Sequence, residues 1–458
     1  MRLRGALAMG LAALTLAVPV FARMQEAGTE GFGGAWDHKK QKSKAEQEAQ
    51  KQREWMQPSE PAQLSIPVEP LGFSAPSDFY QGLRERLVSL DFLDENRLLF
   101  SFRAPGLIHR KAGAGGDERQ IRALVLTLPQ GGVEAQAVWT LHDTDRYLWM
   151  LRDGHFLLRD RNNLARGNAS LELKPFLTFP GPLADVEMDP EERYLVTDSL
   201  EPKKRAARPG EVGSPATAEA KVTTDGQVGG TGGAADGSAS VDEPPIVLRI
   251  LERATGRVML VSRVRMKVHL PINDEGYIEV LQGTGWDWVL NLDFFSGGSR
   301  IVGKVSSHCR PTVEFVAPAE VLTTTCDEDG TLRLVVMATS GKEMWETATP
   351  ETEVWPIVVK GASGTRIARE TLAVTHPVGP YSPLSFDDVK GQLVRVYDAA
   401  SGKVLLEAPA TPVLDGGGNM AISPSGRRAA VLDGGAIRVY ELDGNETQAG
   451  PEGARKRR

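Results

Sequence analysis

Along most of this chain, apolar residues come in short stretches, many of them alternating with polar ones, and few windows hold a helical period for three turns. That pattern predicts an all-β protein. The stretches 121–128, 332–337 and 437–442 would each present apolar side chains to a core on one or both faces. Three hairpins share more than alternation. Ala254-Thr255-Gly256-Arg257, Thr339-Ser340-Gly341-Lys342 and Ala400-Ser401-Gly402-Lys403 each follow one apolar strand and precede another. Their glycines can supply the positive φ that a tight hairpin needs.

Less similar turns at Gly132, Gly167, Gly298 and Gly444 extend the set. Once the low-complexity segment 202–243 is set aside, a period of about 42 to 47 residues recurs, with four strands per unit. That is the repeat length of a propeller blade. A second set of turns runs in step with the first: Asp94 to Asn96, Asp153-Gly154, Asp189 to Glu192, Asn273 to Gly276, Ala317-Pro318, Gly361 to Gly364 and Ser423 to Gly426. With the strands of a blade lettered a to d from the axis outwards, the second set marks a-to-b turns and the glycines mark c-to-d turns. The expectation is a seven-bladed β-propeller of four-stranded antiparallel blades over residues 61–443. The last blade has only three strands before its polar tail. The segment Leu64 to Val68, far upstream, is the candidate fourth strand, and would hide an edge that otherwise templates aggregation. Pro67 is tolerable there because an outermost strand has a free side.

The run Met420-Ala421-Ile422-Ser423-Pro424-Ser425-Gly426, followed by an apolar strand, resembles the blade signature of WD40-like bacterial β-propellers. The span from Leu64 to Leu442 is similar to uncharacterised secreted bacterial propeller proteins. This resemblance implies a fold and little chemistry. The Trp-Asp strand ending and Gly-His element of true WD40 repeats are absent, so it brings no partner with it.

The N-terminus changes the picture of where the protein works. Arg2 and Arg4 precede an apolar run from Gly5 to Phe21, and Val20-Phe21-Ala22 supplies a cleavage-site pattern. Residues 1–22 are therefore predicted to be a signal peptide and the mature chain to be secreted, periplasmic or extracellular. An uncleaved anchor is the alternative. No second apolar segment reaches spanning length, so no membrane span is expected in the mature chain. Residues 23–60 are polar and charged and are predicted to form a tether, partly helical or disordered; residues 202–243, rich in Gly, Ala, Ser and Thr, a disordered insertion; and residues 444–458 a disordered basic tail. A net charge of -7, from 53 Lys and Arg against 60 Asp and Glu, argues against nucleic acid as a partner. The two cysteines, Cys309 and Cys326, lie at positions that would face each other across the hairpin turning at Ala317-Pro318, and a structural disulfide is expected.

Candidate chemistry is sparse. The zinc helix, nucleophile elbow and phosphate-loop motifs are absent from the sequence. No cofactor and no metal ligand are assigned, and the chain reads as a monomeric binding scaffold rather than an enzyme. The three long insertions, 104–120, 202–243 and 375–391, all fall between strands b and c, and those connections leave by the same rim as the d-to-a connections. His109, Arg110, His142, Asp143, Asp145, Arg159, Asp160, Arg161, Asn162 and His376 would share that rim as candidate contacts for a protein or glycan partner, or else be solvated turn residues. The rival reading is a hydrolase or lyase whose carboxylates converge on the axial channel. Trp286 and Trp288, at i and i+2, are expected to share a sheet face and pack between blades.

Overall fold

A computed structural model describes residues 57–76, 86–104, 118–201, 246–361, 363–378, 384–414 and 416–442. The expected signal peptide, nearly all of the 23–60 segment, the 202–243 insertion, the 444–458 tail, and His109 and Arg110 lie outside the described residues. Within the described part the chain is all strand apart from one 3-10 turn at Phe386–Asp388.

The first strand, β1 (Leu64–Pro67), stands ahead of the repeats. Blade one is β2 (Val88–Asp94), β3 (Arg97–Arg103), β4 (Arg119–Thr127) and β5 (Val133–Leu141); blade two is β6 (Leu148–Met150), β7 (Phe156–Asp160), β8 (Asn163–Gly167) and β9 (Leu173–Thr178). Blade three is β10 (Leu183–Met188), β11 (Tyr194–Leu200), β12 (Ile246–Glu252) and β13 (Val258–Val264). Blade four holds β14 (Gly276–Gln282), β15 (Asp287–Phe294) and β16 (Ser299–Ser306); its innermost strand has shrunk to a single bridge between Ile272 and Tyr277. Blade five is β17 (Thr312–Ala317), β18 (Glu320–Cys326), β19 (Leu332–Ala338) and β20 (Glu343–Ala348), and blade six is β21 (Glu353–Lys360), β22 (Arg366–Val374), β23 (Val389–Asp398) and β24 (Val404–Ala410). Blade seven is β25 (Met420–Ile422), β26 (Arg428–Asp433) and β27 (Ala436–Glu441), completed on its outer side by β1.

The strands of each blade run antiparallel, and the a-to-b turns and the glycine turns from Gly132 to Gly402 lie where the sequence puts them; Gly444 lies outside the described residues, and blade seven takes its outer strand from upstream. The three related hairpin glycines, Gly256, Gly341 and Gly402, all take positive φ. The three long insertions connect β3 to β4, β11 to β12 and β22 to β23, so all are b-to-c connections. The ladder from Leu200–Ile246 to Tyr194–Glu252 is continuous, so the insertion of blade three leaves its flanking strands in register.

Apolar faces stack between blades, giving one buried cluster per blade interface. Leu99, Trp139 and Phe156 join blades one and two, for example, and Val196, Ile250 and Ile272 join blades three and four. The a-to-b turns add polar clasps across the same interfaces. The Glu192 carboxylate accepts from the Arg152 amide at 2.8 Å, Asn273 Nδ2 donates to the Pro318 carbonyl at 3.0 Å, and Glu95 accepts from the Ser425 amide at 2.6 Å. Glu192 holds a left-handed φ of 59°, a conformation rare for a side-chain-bearing residue, to reach its partner.

The ring closes through β1. Leu64, Ser65, Ile66 and Pro67 pair with Val439, Arg438, Ile437 and Ala436 in antiparallel register. Ile66 is buried among Val68, Leu90, Leu432 and Ile437, so the closing strand is fixed by packing as well as by backbone bonds. Ser59 continues onto the neighbouring blade, where its amide donates to the Glu407 carbonyl at 2.8 Å.

Two details depart from expectation. Cys309 and Cys326 form the expected disulfide, with Cα atoms 5.7 Å apart, but the hairpin register pairs Val313 with Thr323, one residue out of step with a direct Cys309–Cys326 pairing. Cys309 instead sits in the bend ahead of β17. Trp286 likewise does not share the fate of Trp288. Trp288 is buried and donates its indole N–H to the Ser307 carbonyl at 2.9 Å, whereas Trp286 lies in the turn before β15, is 53% exposed, and stacks on the His308 ring at 4.3 Å. The i, i+2 argument fails because the first tryptophan precedes the strand.

Two measurements probe this architecture. Ile66→Ala should lower unfolding stability by about 2 to 4 kcal/mol in a denaturant titration, since it opens a cavity beneath the closing strand. Replacing both cysteines by serine should remove about 3 kcal/mol, as the bridge closes a 17-residue separation; reduction should bring the parent down to the variant and leave the variant unshifted.

Candidate functional site

Of the rim residues singled out in the sequence, six come together. His142 and Asp143 belong to the d-to-a connection after blade one, and Arg159 to Asn162 form the b-to-c turn of blade two. Asp160 accepts from the His142 amide and contacts its Nδ1, both at 2.9 Å; Asp143 accepts from the Arg161 amide at 2.9 Å and lies 3.3 Å from the Arg159 guanidinium. Asn162 Nδ2 donates to the Phe179 carbonyl at 3.0 Å. Arg159 is buried, with its guanidinium over the Trp149 ring. The six therefore spend much of their bonding capacity on one another and on the backbone, tying blade one to blade two. Burial pushes the Asp143 carboxyl up, against the pull of Arg159. Asp145 is exposed on the same connection. His376 is exposed at the start of the blade six insertion, 3.0 Å from the Thr375 hydroxyl, in a different part of the ring.

The inner strands enclose a cavity of about 470 Å³ along the axis, and all seven blades contribute to its wall. Its charged groups were not singled out in the sequence. Asp91 comes from β2, Asp185 and Glu187 from β10, and Glu314 from β17; Arg86 and Arg146 precede β2 and β6, and His269 opens the inner segment of blade four. Their signature in the sequence is an acid within an otherwise apolar inner strand, as in Leu90-Asp91-Phe92 or Asp185-Val186-Glu187. It can be read only once the axial strands are known. Blades six and seven bring apolar side chains instead, Ile357, Val358 and Ile422 among them.

These groups form one electrostatic unit. Lys267 Nζ lies 3.3 Å from Asp185, and His269 Nδ1 bonds Glu187 while its Nε2 meets the Val313 carbonyl at 2.7 Å. A carbonyl and an ionised carboxylate only accept, so both ring nitrogens carry protons and His269 is an imidazolium. Burial alone would lower its pKa, but Glu187 overrides that and holds it at about 9. The stabilisation from this pair is complete below the ordinary histidine range and fades as pH rises through about 9. Burial raises Asp91 and Asp185, the latter helped by repulsion from Glu187, and takes Asp198, behind β10, to about 6. Arg146 is lowered to about 10, first by its enclosure and then by repulsion from Arg86.

Glu370, on β22, lies behind Arg86. It is fully buried, neither carboxyl oxygen has a hydrogen-bond partner, and burial pushes it up to about 8. Glycines allow this close approach. A Cβ at Gly417 would come within 3.1 Å of the Glu370 carboxyl, and one at Gly418 within 2.9 Å of Arg86 Nε and 2.1 Å of the Val88 carbonyl oxygen. Among the described residues no group of three His, Cys, Asp or Glu side chains is placed to hold a metal ion, and no helix is long and apolar enough to cross a membrane.

No family model matches the chain, and no curated protein matches it. Solved structures similar to it include uncomplexed Pyrococcus horikoshii acylaminoacyl peptidase, at 8% identity over 78% of this chain and 51% of that one, with a TM-score of 0.43. The chain thus spans about half the length of the peptidase. The WD40 domain of Toxoplasma gondii coronin is 8% identical over 85% of this chain and 87% of that one, with a TM-score of 0.42. Kluyveromyces lactis Hsv2 with its complete loop 6CD is 13% identical over 65% and 73%, with a TM-score of 0.36. These likenesses concern the fold alone.

The buried carboxyl gives a pH test. Because the folded protein holds the Glu370 proton up to about 8, stability falls as pH rises from the ordinary carboxylate range towards that value. Glu370→Gln should remove that loss: its urea midpoint relative to the parent should shift in the variant's favour between about pH 5 and pH 8.

Proposed function

We propose that this chain is an exported β-propeller that binds a protein or glycan partner on the rim from which its b-to-c and d-to-a connections leave, around the mouth of the axial channel. The observation that carries the reading is positional. Arg86, Arg146, Lys267 and His269 all sit at the entering ends of inner strands, on the rim that also carries the three long insertions. Rigid scaffolds with long loops beside a charged cavity are the usual geometry of recognition. The disulfide fits an oxidising compartment outside the cytoplasm, as does the signal-like N-terminus. The acids of the channel serve binding better than hydrolysis. Asp185 and Glu187 are each held by a cation, so neither is a free acid or base. In this reading His109, Arg110, Asp145 and His376 are outlying contacts, while His142, Asp143 and Arg159 to Asn162 set the shape of the rim.

The test is photo-cross-linking in intact cells. A benzoylphenylalanine at Asp145, on the long-loop rim, should give a discrete partner adduct; one at Glu191, in an exposed a-to-b turn on the opposite rim, should not. The recovered chain should have the mass of one beginning at Arg23. Adducts confined to Glu191, or equal at both positions, would refute the rim assignment, and an uncleaved chain in the cytoplasm would refute export.

A further inference from the structure

The cations at the channel mouth are not equivalent. Lys267 and His269 are already committed, to Asp185 and to Glu187 with the Val313 carbonyl. Arg146 donates Nε to the Leu148 carbonyl at 3.0 Å and rests over the Trp149 ring at 5.3 Å, and its two terminal amino groups make no hydrogen bond to a described residue. Arg86 makes no side-chain hydrogen bond to a described residue, and its Nε is buried without a partner. The nearby acids answer them only through space: Asp91 attracts both, and Asp185 and Glu314 attract Arg146. Asp91 takes its hydrogen bond from the Ser89 hydroxyl at 2.6 Å, and burial raises the Glu370 carboxyl behind Arg86. Two guanidinium groups that repel each other, with donors unspent, thus face one cavity. Arg86 Nε, buried without a partner, is costly unless an acceptor-rich group fills it, and the terminal donors of the exposed Arg146 are open to the same group.

The neighbouring wall, on the Glu370 and Gly418 side of Arg86, fixes what else the ligand must be. On blades six and seven, Ile357, Val358 and Ile422 bring only hydrocarbon to the cavity. A bare inorganic anion would leave that wall wet. A volume of about 470 Å³ suits a small organic molecule.

We propose that Arg86 and Arg146 bind the carboxylate of an amphiphilic ligand whose apolar body lies against Ile357, Val358 and Ile422. The assignment rests on the channel-mouth reading above. The planar fork of a guanidinium matches a carboxylate bidentately, which a lysine would not do. A free molecule and the acidic end of a larger partner present the same chemistry to the two arginines.

The experiment is calorimetric titration of the purified full chain with hexanoate, hexylamine, hexan-1-ol and inorganic phosphate. Hexanoate should bind about tenfold or more tightly than the other three, the gain expected of charge-assisted bonds over neutral ones. Arg86→Met and Arg146→Met, which keep side-chain length without the fork, should each weaken hexanoate about tenfold and leave hexan-1-ol unchanged. Arg146→Lys should fall between parent and Arg146→Met, and this pair decides the matter if Arg86→Met does not fold by circular dichroism. Tighter binding of hexylamine, equal binding of all heads, phosphate as tight as hexanoate, or indifference to the arginine variants would each overturn the proposal. Cross-linking from Asp145 that persists while hexanoate fails to bind would overturn the carboxylate assignment alone; loss of both would overturn the rim reading as well.

Discussion

Everything in this molecule depends on four residue pairs between β1 and β27. A propeller blade cannot bury both its faces, and each of the seven apolar clusters is shared by two neighbouring blades. Leaving the ring open would expose two such faces and one sheet edge at once. The closing strand contributes little area of its own, but it completes blade seven and seals the cluster that joins it to blade one. The polar clasps among the a-to-b turns then hold the blades at fixed angles, and those angles set the width of the axial cavity.

How much of this was legible in the sequence follows from what periodicity can and cannot encode. Turn chemistry is local, so the hairpins at Gly256, Gly341 and Gly402 and the seven a-to-b turns could be read directly, and the blade count came with them. The closing strand was legible because blade seven lacked a member and Leu64 to Val68 was spare. Register was less secure. The hairpin turns at Pro318-Ala319, one residue later than expected, and the irregularity between Phe315 and Ala317 recovers only part of that shift, so Cys309 lies ahead of the strand although the disulfide still formed. Trp286 shows the same limit at a strand boundary. The axial charges were missed for a different reason: alternation says which residues share a face, and only the closed ring says which faces meet on the axis. The rim cluster around His142 and Asp160 was found but looked more open than it is, because mutual pairing between two turns leaves no trace in either one.

The channel carries charges of both signs at each end. Arg86, Arg146 and His269 stand with Asp185 where the chain enters the inner strands, while Arg152 lies with Asp189 and Glu192 where it leaves them. Low permittivity among the strands strengthens these interactions. The raised carboxyls of Asp91 and Asp185 and the lowered guanidinium of Arg146 express the same constraint, since charges of both signs are held in a space too narrow to hydrate them fully.

Closure also sets a clock. The Glu441 amide donates to the Gln63 side chain across 378 residues of sequence, so the fold cannot be completed until almost the whole chain has been made. Until then β1 has no partner, and the blades that follow it form an open stack with two raw ends. Contacts this distant in sequence are slow to find, and an unfinished stack is prone to join its neighbours. A chain built in this way would therefore gain from being kept extended until its last strand emerges.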